Sequence, residues 1–178
     1  MIGNSIGDNN PAQAKRFFKI TAIIAWAVFI LIASCLIAFR EPITALFTDE
    51  PDVTALSIQT MPVVGIKHIF DGIQGYLQGV IRGLGLQKYG SVIALIVAYP
   101  IQIPLALWLA FTLDWGISGL WWADTFGMMI QGATFFLLIT YSDWNEITRK
   151  ALIRIKEENE ALKQFELHEN EAKQKMIK

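Results

Sequence analysis

The chain has 178 residues, 53% of them hydrophobic, and a net charge of −1 at neutral pH. That balance excludes a basic surface for nucleic acid, and the lone cysteine, Cys35, excludes an internal disulfide and reads as packing in a core or against lipid. Residues 143–178 hold eight of the 15 Lys+Arg and eight of the 16 Asp+Glu, so the first 142 residues are far more apolar than the average.

The opening segment lacks a basic stretch followed directly by an apolar core, so no signal peptide is read there. Gly3 is third, not second, which makes a poor myristoylation site. Gly3 and Gly7 fit the end of a helix, but too few residues precede them to build one. The chain is therefore expected to begin at the tail of a span that lies upstream. Asn10 is a plausible N-cap, Pro11 suits the first helical position, and Gln13 can close a capping box.

Four segments can span a bilayer, whose core of about 30 Å needs about 20 helical residues. Ile20 to Phe39 carries no charge over 20 residues. Val53 to Ile81 is interrupted only by Lys67, His68 and Asp71. Tyr89 to Leu113 is charge-free for 25 residues, and Trp115 to Ser142 carries only Asp124. These segments predict an all-α integral membrane protein, with helices over about 18–40, 53–82, 89–113 and 116–141. Residues 1–142 read as a membrane domain and 143–178 as a charged tail that forms a further helix, fraying towards Lys178. Leu152, Ile155, Leu162 and Phe165 give that helix a weak apolar stripe. A solvated helix with i,i+4 pairs is preferred there over a partner-binding coil.

Basic residues agree on one orientation. Lys15, Arg16 and Lys19 precede the first span, Arg82 and Lys88 join the second to the third, and Arg149, Lys150, Arg154 and Lys156 follow the fourth. The other connections hold Arg40 alone among Glu41, Asp49, Glu50 and Asp52. Positive charge favours the cytoplasmic side, so both ends are expected to be cytoplasmic. Trp108, Trp115, Trp121, Trp122, Tyr141 and Trp144 cluster near span ends, as interfacial aromatics do.

The second span carries the chemistry. Lys67, Asp71, Gln74 and Gln78 fall at i, i+4, i+7 and i+11, which puts them on one helical face, and Arg82 continues the stripe. A carboxylate at membrane depth costs roughly 2.5–3.5 kcal/mol on insertion scales, so its default reading is an ion or substrate site. Lys67 reaches Asp71 one turn on, and a Lys–Asp pair that merely orients helices is the alternative. His68 reads equally as a packing residue or a proton relay, and it has no neighbours at metal-ligand spacing. Gly72, Gly75, Gly79 and Gly83 form a second stripe on this helix, and Gly75-x-x-x-Gly79-x-x-x-Gly83 permits close approach by another helix. Pro62 bends or loosens this span, and Pro100 and Pro104 are expected to kink the third, where Tyr99 and Gln102 can line a cavity. Asp124 and Gln131 repeat an i, i+7 pair on the fourth.

Four passages resemble the C-terminal part of the multidrug and toxic compound extrusion (MATE) transporters. Ile2 to Lys15 is similar to the family's Gly-Asn-x-x-Gly loop and helix start. Phe70 to Gly90 resembles the tenth span and its turn, with Gly79-Val-Ile-Arg-Gly83 and Gln87-Lys88. Tyr99-Pro-Ile-Gln-Ile-Pro104 resembles Tyr-Tyr-x-x-Gly-x-Pro of the eleventh, with the glycine replaced by Gln102 or Ile103, depending on alignment. Gly116-Ile-Ser-Gly-Leu-Trp121, Gln131 and Asp143-Trp144 are similar to the twelfth span and its exit.

The resemblance implies spans nine to twelve of a twelve-span, two-lobe antiporter. Such a protein exports organic, often cationic, compounds in exchange for protons or sodium ions. Asp71 falls at the position of an acidic residue implicated in coupling. Gln74, Gln78, Tyr99 and Lys67 would line the cavity, and Pro62, Pro100 and Pro104 would serve helix bending. Lys67 and His68 depart from what a sodium site would carry. Implied partners are the bilayer, the small-molecule substrate and the missing N-terminal lobe; no cofactor is expected beyond the coupling ion. One rival is a truncated, non-transporting membrane protein that associates with full-length relatives. The other, an intramembrane enzyme using His68 and Asp71, lacks a nucleophile and a metal set.

Overall fold

Among the described residues, eight α-helices and two π-helical turns follow one another along the chain. The computed structural model describes residues 1–177, with side chains described through Phe165. Helix α1 covers Ile2–Gly7, α2 Pro11–Ala38, α3 Arg40–Ala45 and α4 Pro51–Gly83. The third span starts as α5 (Gln87–Ile96), widens into a π-helical turn at Val97–Gln102, resumes as α6 (Ile103–Leu107) and widens again at Trp108–Thr112. Helix α7 covers Gly116–Tyr141 and α8 Trp144–Ile177. No strand occurs among the described residues. Four of these stretches are long and apolar enough to cross a membrane: Pro11–Ala38, Pro51–Gly83, Gln87–Thr112 and Gly116–Tyr141. The expected all-α membrane fold is therefore present, with each span within a few residues of its predicted bounds except for the first. That span starts earlier, because Asn10 caps it and Pro11 opens it.

The local chemistry at the turns explains where helices stop. At the end of α1, Asn9 takes φ 57°. The Asn10 N–H then donates to the Ser5 carbonyl (2.8 Å) and the Asn9 N–H to Ile6 (3.1 Å). This is a Schellman closure with asparagine in the left-handed position. Asn10 then turns to the next helix, and its side-chain oxygen accepts from the Gln13 N–H at 3.0 Å. The same closure ends α4: Gly85 takes φ 72°, and the Leu86 and Gly85 N–H groups donate to Ile81 and Arg82 at 2.9 and 3.0 Å. Glycine, free of Cβ strain, holds that conformation cheaply. At the far end, Asp143 accepts from the Asn145 N–H at 2.9 Å and opens α8.

Helix α4 is the centre, packed between α2 and α7. The buried core gathers at the end that carries α1 and the start of α8. Ile81, Phe135 and Ile139 are fully buried there, beside Ile6, Leu77, Val80, Leu84 and Trp144. The Trp144 indole N–H donates to the Ile139 carbonyl at 3.1 Å, which ties α8 to α7. Tyr76 joins α4 to α2: its ring stacks on Phe18 with centroids 6.2 Å apart. Its hydroxyl donates to the Phe18 carbonyl at 2.8 Å and meets Thr21 Oγ1 at 2.8 Å.

Of the glycine stripe on α4, Gly72 is the member that α2 approaches closely, joined by Gly65 outside the stripe. A Cβ on Gly72 would lie 2.3 Å from the Phe29 ring, and one on Gly65 would lie 2.6 Å from Ile37. These two bring α2 onto α4. Gly119 of α7 lies against backbone, with Ala110 N and Leu109 C 2.8 Å from an added Cβ. Gly75 and Gly79 instead have open space beside them, and Gly83 meets the backbone of Gly3. Gly79 shares the face of Gly72, about 20° from it at about 100° per residue, yet has nothing within 4 Å, so the close contact with α2 is confined to the stretch from Gly65 to Gly72. The most apolar span, α2, is also the least buried, with 6% of its 18-residue apolar stretch buried inside the chain. An apolar helix left open in this way needs lipid or further helices around it.

Candidate functional site

The polar residues of the spans converge between α4, the third span and α7. Lys67 Nζ lies 3.1 Å from the Asp124 carboxylate on α7 and 3.9 Å from Asp71 one turn along its own helix. The ammonium also sits over the Trp121 ring, 5.7 Å from its centroid, a cation–π placement. Gln102, at the end of the first π-helical turn, donates its amide to the other Asp124 oxygen. Gly127 makes room for that side chain, since an added Cβ would lie 2.9 Å from the Gln102 Cδ. Asp124 is eight residues into α7, or about 12 Å along its axis.

Two carboxylates thus compete for one ammonium. Asp124 has the shorter contact and a second donor. Asp71 has the longer contact and the more open side chain, 46% exposed against 25% for Asp124. With all three groups ionised the cluster carries one net negative charge, which one bound monovalent cation or proton would neutralise.

The other residues singled out in the sequence are dispersed. Gln74 is buried against α7, facing Gly132. Gln78 is half-buried further along α4. Tyr99 is 64% exposed on the third span, whereas Gln102 enters the cluster. Pro62 lies inside an unbroken α4, Pro100 lies inside the first π-helical turn, and Pro104 opens α6. His68 turns towards α2, where its ring meets Phe29 edge-on at 5.8 Å. Its Nε2 has no partner among the described residues. Gln131 is buried in α7. Among the described residues, no three His, Cys, Asp or Glu side chains gather as a metal site would need.

Residues 1–108 match the MatE family model. The chain belongs to the MatE, or MATE, family. That match contains Lys67, Asp71 and Gln102 and stops short of Asp124. This MATE chain is 33% identical over 164 residues to Protein DETOXIFICATION 16 of Arabidopsis thaliana, covering 92% of the chain and 34% of that protein. It is 32% identical over 154 residues to Multidrug and toxin extrusion protein 1 of Danio rerio, covering 86% of the chain and 26% of that protein. The crystal structure of the eukaryotic MATE transporter AtDTX14 superposes with a TM-score of 0.83 at 29% identity, covering 86% of the chain and 34% of the transporter. The MATE chain thus spans about a quarter to a third of the length of these relatives. It is an integral, multi-pass membrane protein.

Proposed function

We propose that the chain supplies an ion-coupling part of an antiporter that expels organic, often cationic, compounds in exchange for protons or sodium ions. The observation that carries this reading is the unequal sharing of Lys67. Asp124, fixed by Gln102, neutralises the ammonium, and Asp71 keeps a half-exposed carboxylate with only a loose partner. An incompletely paired carboxylate at membrane depth is costly. Binding a proton or a sodium ion removes that cost, and releasing the ion restores it. Asp71 would therefore favour one conformation when loaded and another when empty, which is what exchange requires.

Alternating access moves two bundles against each other around a site at their interface. The proposal accordingly assigns transport to a two-lobe assembly in which these four spans form part of one lobe. The open side of Asp71, with the half-buried Gln78 two turns along the same helix, would face the cavity. In this orientation both ends of the chain are cytoplasmic, where the basic residues gather.

The test is efflux of a fluorescent organic cation from cells or vesicles that carry a full-length parent transporter with Asp71→Asn. Loss of gradient-driven efflux at unchanged membrane abundance is expected. Undiminished coupled efflux would remove Asp71 from the mechanism.

A further inference from the structure

A long groove opens between α2 and α7, floored by α4, on the side away from Asp71. Its volume is about 1030 Å³, at the top of the ordinary ligand-pocket range of about 300–1,000 Å³. Along most of its length the walls are apolar, with Trp26, Phe70, Leu77 and Phe136 among them. At the end where the core and α8 sit, the lining changes to Lys15 and Lys19 of α2. Both lysines are exposed, and Lys15 lies over the Trp144 ring, 6.0 Å from its centroid. Among the described residues that line the groove, none is acidic.

That gradient selects an occupant. The groove lies between membrane-spanning helices, so its apolar length opens where hydrocarbon is the surrounding medium. Two ammonium groups then stand at the depth of the headgroups, on the side where Arg82 and Lys88 are also exposed. An anionic headgroup would meet opposite charge there, while its chains would cover the aromatic walls. A transmembrane helix would fill the apolar length but would give Lys15 and Lys19 no anion. A soluble organic cation would be repelled by them.

We propose that this groove is a binding site for an anionic phospholipid, with its headgroup at Lys15 and Lys19 and an acyl chain along Trp26, Phe70 and Phe136. The site is separate from the Lys67–Asp71–Asp124 cluster and does not depend on its assigned role.

The experiment is native mass spectrometry of the purified full chain, exchanged in detergent with phosphatidylglycerol or phosphatidylcholine of identical acyl composition. Phosphatidylglycerol should be retained in preference. Lys15→Gln combined with Lys19→Gln should lower its retention by roughly 10- to 30-fold, the scale of two lysines near an anionic surface. Ala22→Phe, which fills the groove from α2, should lower retention of both lipids while circular dichroism reports unchanged helix. A photo-crosslinking residue in place of Phe136 should capture lipid in membranes. Equal retention of the two lipids, indifference to the lysine changes, or capture of polypeptide rather than lipid at position 136 would each overturn the proposal.

Discussion

Lys67 on α4 holds Asp124 on α7 at 3.1 Å, across the interface of two spans. Its neighbour on the same helix, Asp71, is held only at 3.9 Å. The fold therefore spends the one ammonium on the cross-helix contact. This has consequences for both stability and exchange.

Breaking the cross-helix pair from one side leaves a charge in a poor solvent. A fully buried pair loses about 3–5 kcal/mol in this way. With side chains 20% and 25% exposed, Lys67→Met or Asp124→Asn should each cost about 1–2 kcal/mol. The double variant Lys67→Met/Asp124→Asn should recover most of it. Thermal unfolding in detergent of the unsubstituted protein, the two single variants and the double, analysed as a double-mutant cycle, measures the coupling. Additive losses would remove the interaction.

Asp124→Asn has a second expected effect in a full-length parent. It frees Lys67 to pair with Asp71 and so masks the carboxylate assigned to coupling. Gradient-driven efflux should fall as it does in Asp71→Asn. Adding Lys67→Gln should restore part of it, because Asp71 is again unpaired. Efflux that ignores Asp124→Asn would show that Lys67 does not move between the two acids.

The glycines should divide sharply by position. Gly119→Ala places a Cβ 2.8 Å from backbone atoms of Leu109 and Ala110, which no rotamer change relieves, and should cost about 1–3 kcal/mol. Gly72→Ala meets the Phe29 ring at 2.3 Å and should be rescued by Phe29→Leu. Gly75→Ala meets nothing within 4 Å. In this chain it should be neutral or stabilising by up to about 1 kcal/mol, the helix-propensity gain over glycine. Unfolding midpoints in detergent separate the three.

Outside the membrane, Arg149 makes a two-pronged hydrogen bond to Glu146, both contacts at 2.7 Å. That bond, reinforced by the charges of Arg149 and Lys150, lowers the Glu146 carboxyl from 4.5 to about 2. A lowered carboxyl contributes stability that is fully present above about 4.5 and is lost as pH falls through about 2. The start of α8 should therefore keep this contact through mild acid. A carbon-detected NMR titration of Glu146 should show a midpoint near 2, moving up towards 4.5 in Arg149→Gln.

The spans were legible because an unbroken apolar run is enough to name a bilayer helix, and Asn10-Pro11 named the start of the first. Lys67 and Asp71 could be paired from their spacing, since both sit on one helix. Asp124 and Gln102 could not be joined to them. Periodicity says which side of a helix is polar, but it does not say which helix stands opposite. Gly127, whose missing side chain admits Gln102, was the available signal, and alone it reads as one more membrane glycine. The glycine stripe on the second span was legible only in part: its members looked alike, yet of them Gly72 receives α2, together with Gly65 outside the stripe, while Gly75 and Gly79 stay open.

The two π-helical turns of the third span change how its residues must be counted. A π turn amounts to one residue inserted into the α-helical register, so it sets the following segment about 100° out of phase with the preceding one. A wheel drawn at constant pitch from Tyr89 therefore misplaces everything past Gln102, and past Thr112 the error has doubled. Scanning substitutions along this span will show two breaks in periodicity. Any inference that Tyr99 and residues beyond Gln102 share a wall must first remove that offset.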